Sequence, residues 1–179
     1  SFMLFFFFLV TKGLVGLIAL AVILMIFNSL QIEEQATKNI LTENGGLGDS
    51  LLVFQEKYEQ LDKLADEDNF VAYSFKTESS KIEASFFEFR EKRAFQLNVY
   101  PTEILESKES FIRFLEPYLP VESIYQDEIE QEEAFVYFYQ SKKLADAINN
   151  EFSWGEKEGT FIIAISKDFQ MAQLIVSRE

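Results

Sequence analysis

The sequence predicts an α+β protein held to a membrane by its first segment: a single N-terminal transmembrane helix with an amphipathic stem, then an antiparallel sheet with helices on one face. Three observations carry this reading. Residues 2–30, FMLFFFFLVTKGLVGLIALAVILMIFNSL, hold one charge, Lys12, and no acid. From Asn69 onward apolar side chains recur at every second residue, the period of a half-buried strand. Between those runs Ser107 and Ser141 each precede a helix-period stripe, where a hydroxyl can accept from an unpaired backbone N–H.

The anchor comes first. About 20 mainly apolar residues cross a ~30 Å hydrocarbon core, and Gly13 to Leu30 with part of the Phe5-Phe6-Phe7-Phe8 run supplies that length. FNSLQIEEQA, just beyond the apolar core, offers no small-x-small cleavage site, so the segment reads as retained. Lys12 on its N-terminal side and Glu33 and Glu34 on the other predict a cytoplasmic N-terminus and an extracytoplasmic domain. Gly13, Gly16 and Ala19 form a small-residue patch where another membrane helix could approach, although the spacing is not that of a GxxxG pair.

Ile32, Ala36 and Ile40 continue the helix as an amphipathic stem to about Leu41. Asn44-Gly45-Gly46-Leu47-Gly48 then breaks it, and lacking both the dinucleotide and the P-loop spacing, this stretch reads as a hinge. The expected domains are therefore an anchor at 1–30, a stem and glycine hinge at 31–48, and a soluble extracytoplasmic α+β domain at 49–179. A second helix is expected from Leu51, because Leu51, Phe54, Tyr58, Leu61 and Ala65 keep a 3-4-3-4 spacing that docks on the protein's own sheet.

Strands follow at Phe70–Thr77, Lys81–Arg90 and Arg93–Tyr100, a meander with short polar connections that Pro101 ends. Ser107 opens a helix carrying Phe111, Ile112, Phe114 and Leu115, and Pro117 and Pro120 close it. A strand near Val121–Gln126, an acidic turn and an aromatic strand at Ala134–Tyr139 come next. Ser141 starts a helix with Leu144, Ile148 and Phe152 as its buried stripe. Thr160–Ser166 and Gln170–Ser177 close the chain as a hairpin around Lys167 and Asp168. Counted from Arg93, this is the βαββαβ order of a ferredoxin-like core with extra flanking strands.

Composition limits the chemistry. Neither histidine nor cysteine is present, which removes the usual zinc ligands, the near-neutral general base and every thiol nucleophile. No Ser-x-x-Lys and no Gly-x-Ser-x-Gly occurs. The reading is non-enzymatic, with no catalytic residue, no cofactor and no metal. Fifteen of the 16 basic residues and all 30 acidic ones lie beyond Leu30, a negative balance that disfavours nucleic acid and anionic membrane surfaces. Asp66-Glu67-Asp68-Asn69 and the run from Asp127 to Glu133 lack calcium-loop spacing and read as solvated loops. Asp127, Glu128, Glu130, Glu132 and Glu133, expected at a hairpin tip, are the natural place to meet a basic partner.

The layout of a short N-terminal side, one membrane helix, an amphipathic stem and a ferredoxin-like domain is similar to that of the inner-membrane alignment proteins of type IV pilus and type II secretion machines. That resemblance implies a structural or assembly subunit of an envelope complex, whose partners are other membrane or envelope subunits and, through residues 2–30, the bilayer. Pilins share the long apolar start leading into a small antiparallel sheet, but Phe5 stands where that family has glutamate and Lys12 would lie in the filament core. An accessory subunit of an energy-converting membrane complex is a third expectation.

Overall fold

In a computed structural model that describes residues 40–88, 91–148, 152–154 and 156–177, a serine hydroxyl begins each of the three α-helices. Ser50 accepts from the Val53 N–H at 3.4 Å ahead of α1 (Leu51–Lys57). Ser107 and Ser110 cap each other reciprocally at the start of α2 (Lys108–Leu115), and Ser141 accepts from the Leu144 N–H at 3.3 Å ahead of α3 (Lys142–Ile148). A 3-10 turn, Glu116–Tyr118, follows α2, with Pro117 inside it where no N–H is needed.

The strands are β1 (Glu59–Asp66), β2 (Phe70–Lys76), β3 (Ser80–Phe87), β4 (Ala94–Pro101), β5 (Ile124–Glu130), β6 (Ala134–Gln140), β7 (Thr160–Ser166) and β8 (Ala172–Val176). They form one eight-stranded antiparallel sheet in the order β1-β2-β3-β4-β8-β7-β6-β5. The sheet is two four-strand meanders placed head to head. Each runs from an outer edge inward, and their last strands pair at the centre, where Leu97 faces Leu174 and the Gln173 amide donates to the Asn98 side chain at 3.1 Å.

Directly opposed residues share a face, so the register assigns the core. Phe75, Ile82, Val99 and Ala172 form one row across the sheet, and Tyr73, Ala84, Leu97, Leu174, Ile163 and Tyr137 form the next. That face joins Phe54 of α1, Phe111 and Leu115 of α2, and Leu144 and Ile148 of α3 in a single buried cluster. The helices therefore cover one face of the sheet, as period-two and period-3.6 stripes require when each must hide its apolar side.

Three expectations are corrected. The class is α+β with an antiparallel sheet, but the ferredoxin-like order is not formed: that order places β4 between β6 and β7, whereas β4 lies between β3 and β8, and β6 and β7, which α3 links, pair directly with each other. The helix expected through Ala65 ends at Lys57, and Glu59–Asp66 pair with β2 as an exposed edge strand. Its 3-4 spacing continues past Tyr58, yet Leu61 and Leu64 face solvent, so pairing with β2 overrides the stripe.

The glycine stretch is not a free hinge. Leu41, Thr42, Leu47 and Asp49 are buried, and the loop is bonded to both halves of the fold: the Leu47 N–H donates to the Tyr118 carbonyl at 3.1 Å, the Gly48 N–H to Ala94 at 2.8 Å, and the Val121 N–H to Leu41 at 2.7 Å. Gly46 is required because a Cβ there would lie 2.1 Å from the Tyr118 carbonyl oxygen. Asp49 organises the loop, accepting from the Leu41 N–H at 2.6 Å and the Gly46 N–H at 3.0 Å; burial pushes its carboxyl up, and these donors pull it back.

Residues 2–30, the stem up to Asn39, and with them Gly13, Gly16 and Ala19, lie outside the described residues. Among the described residues no helix is long and apolar enough to cross a membrane.

Candidate functional site

The acidic residues singled out by the sequence do not sit together at a hairpin tip. Asp127, Glu128 and Glu130 lie within β5, the last strand on one side of the sheet, and only Glu132 and Glu133 belong to the turn into β6. Every residue of β5 is exposed. An acidic strand is tolerable here because an edge strand faces water along one whole side, so its carboxylates stay solvated.

Register separates these side chains into two sets. Glu128 opposes Tyr137 and Glu130 opposes Phe135, which places both on the helix-covered face together with Tyr125, whose partner is Tyr139. Asp127 opposes Phe138 and Ile129 opposes Val136, on the other face. One irregularity, at Gln126 between Tyr125 and Asp127, precedes a regular run from Asp127 to Glu130.

Two lysines from distant parts of the chain meet the first set. Lys108 at the start of α2 stands 3.5 Å from Glu128, and Lys167 in the β7–β8 turn stands 2.8 Å from Glu130. The Lys167 ammonium holds the Glu130 carboxyl below its ordinary value. Both ammoniums also approach the Phe135 ring, at 5.6 and 5.5 Å from its centroid, and Phe169 stacks on that ring at 6.1 Å. Asp127 accepts from the Glu128 N–H at 2.9 Å, while Glu132 and Glu133 project from the turn.

Between α2 and β5 lies an open groove of about 290 Å³. Ile112 and Tyr137 give it apolar surface; Glu109, Glu116 and Glu128 line it with carboxylates, opposed by Lys108 and Arg113. Burial first, and then the nearby charges of Glu128 and Glu109, push the Tyr137 phenol up to about 12. Burial penalises a phenolate and the two carboxylates repel it, so an anion is disfavoured at the Tyr137 oxygen.

Apolar side chains share this edge. Val121, Ile124, Tyr125 and Ile129 are among the exposed large hydrophobic residues, Ile124 at 64%. Sequence reading missed their role. Ile129 stands out as an apolar residue between two acids, but Lys108 and Lys167 carry no local signal, since only the tertiary fold brings them to β5.

Among the described residues no group of three or more Asp or Glu stands close enough to hold a metal ion. Comparison of the chain with protein families, with curated proteins and with solved structures finds no match.

Proposed function

We propose that the chain is a membrane-anchored, non-enzymatic subunit of a larger membrane or envelope assembly, making protein contacts through an acidic extracytoplasmic domain. The observation that carries this reading is the β5 edge: a fully exposed strand that combines carboxylates with Ile124, Tyr125 and Ile129. Exposed apolar side chains rimmed by charge are the usual composition of a protein contact. The apolar segment 2–30 supplies the anchor, and the lack of histidine and cysteine leaves little for a catalyst to use.

Extraction in a mild uncharged detergent, followed by a native gel and mass spectrometry, tests it. The expected result is a complex of unlike subunits with this chain as one component, retained in the membrane pellet after a carbonate wash. A protein released by carbonate, or one that migrates as a lone monomer, sinks the reading. Long homopolymeric fibres would replace it with a filament subunit.

A further inference from the structure

We propose that the β5 edge and the groove beside α2 bind an extended, basic segment of a partner protein, which adds to the sheet as a ninth strand. The inference deepens the assembly reading and rests on it for the existence of a partner. An edge strand leaves half of its backbone N–H and C=O groups unpaired, and adding a strand satisfies them. β5 is suited to this because Asp127–Glu130 keep regular register with β6.

Charge complementarity selects the occupant. Asp127, Glu128, Glu130, Glu132 and Glu133 lie on the strand and its turn, and Glu109 and Glu116 on the groove wall, against Lys108, Arg113 and Lys167. Acidic chains, including a second copy paired through its own β5, are repelled here. A basic segment is attracted from a distance, and its register is fixed by the alternation already present.

That alternation can be read position by position. On the helix-covered side the added strand meets Glu128 and Glu130, so its inward residues are lysine or arginine. On the other side it meets Ile129, Asp127 and, nearer the start of β5, Ile124, so its outward residue beside Ile129 is apolar. An inward side chain beside Glu128 points to the groove, where its methylenes can lie on Ile112 and Tyr137 and its cation can reach Glu109, Glu116 and Glu128. The pairing of Glu128 with Lys108 is no obstacle: the two groups stand 3.5 Å apart and are 49% and 37% exposed, and ion pairs of that kind are weak enough to exchange partners.

The test uses the full chain in uncharged detergent and, as probe, a capped eight-residue peptide alternating lysine and valine. Hydrogen exchange is expected to slow about tenfold over residues 124–130 on saturation, with no change over 59–66 at the opposite edge. Affinity should fall roughly tenfold or more between about 50 and about 300 mM salt. Replacing the peptide's lysines with glutamate should abolish binding, and N-methylating its alternate residues should weaken it at least as much as the salt does. The doubly substituted chain E116Q/E128Q should bind about tenfold less tightly, with unchanged exchange in β3 and β4 reporting that it is folded.

Absence of protection over 124–130, equal protection over 59–66, or undiminished binding of the N-methylated peptide would each overturn strand addition. If the peptide fails while unlike subunits still co-purify with the chain, the assembly reading stands and this mode of contact is wrong.

Discussion

The two edges of the sheet occupy equivalent places in the two meanders and are protected in different ways. β1 and β5 are each the first strand of a half, each entirely or almost entirely exposed, and each pairs on one side only. β1 departs from regular register twice, between Gln60 and Lys63 and between Lys63 and Ala65, and its charges have both signs, with Lys63 bonded to Asp66. β5 has one irregularity, and its charged residues, Asp127, Glu128 and Glu130, are all acidic. Bulges twist an edge away from any newcomer, whereas like charge repels only a newcomer of the same sign. The inward tyrosines of the second strands repeat the contrast: Tyr73 on β2 opposes Lys63, and Tyr137 on β6 opposes Glu128. One edge is closed by geometry and the other by charge, and a closure by charge can be opened by the right partner.

Stability should reside between the edges. Phe54 is fully buried, with its ring 5.3 Å from Phe75, 5.0 Å from Phe86 and 5.8 Å from Tyr58. Phe54→Ala leaves a cavity among rings that cannot all collapse into it, and should cost about 4 kcal/mol in a denaturant titration. Ile129→Ala on the β5 edge, where the side chain is 43% exposed, should change stability by about 0.5 kcal/mol or less. Comparable losses at both sites would mean that the edge is part of the core.

Gly46→Ala is the next largest. The added methyl must displace the Tyr118 carbonyl, which accepts from Leu47, and so disturbs the joint between the loop at 41–50 and the end of α2. A loss of about 3 kcal/mol is expected. A loss below about 1 kcal/mol would restore the hinge reading of this glycine stretch.

How much of this was legible depends on whether a signal is local. β2, β3, β4, β6, β7 and β8 were visible because half-buried strands must alternate, and the starts of α2 and α3 because Ser107 and Ser141 are good caps. Leu51, Phe54 and Tyr58 set a helical spacing that Leu61 and Ala65 happen to extend, so the sequence predicts helix where β1 forms. The sequence predicts the β5 strand too early, near Val121–Gln126, since acids argue against a strand unless that strand is known to be an edge. Strand order was beyond reach: the pairing of Leu97 with Leu174 joins residues far apart in sequence, and no periodicity encodes which strands become neighbours. For the same reason the acidic run was legible as a candidate, but the lysines that meet it were not.

Alkaline pH sharpens the comparison on the β5 side. The Tyr137 phenol is raised from an ordinary 10.0 to about 12, so its protonated form is favoured in the folded protein. Stability that is fully present below pH 10 is then lost as pH rises towards 12, because the unfolded chain releases this proton first. Tyr137→Phe has no proton to lose. Its urea midpoint should track the wild type up to pH 9 and fall less steeply between pH 10 and 12. Parallel curves would show that neither burial nor the charges of Glu128 and Glu109 raise this phenol in the folded protein.

The smallest effect on stability separates the two edges most sharply. Neutralising β5 as D127N/E130Q/E132Q removes carboxylates that are exposed; the Lys167 contact of Glu130 is a surface pair, so the thermal midpoint should not shift resolvably. Association should change instead. Without like charge, two β5 edges carrying Ile124 and Ile129 can approach and pair, and the variant should elute as dimers or larger species at protein concentrations where the wild type is a single species. The matching change at the other edge, E59Q/D62N/D66N, leaves both irregularities of β1 in place and should not associate. Light scattering coupled to gel filtration in the same detergent compares the two. Association of both variants would show that charge guards both edges and that the bulges of β1 do nothing; association of neither would mean that β5 is shielded by something other than its carboxylates.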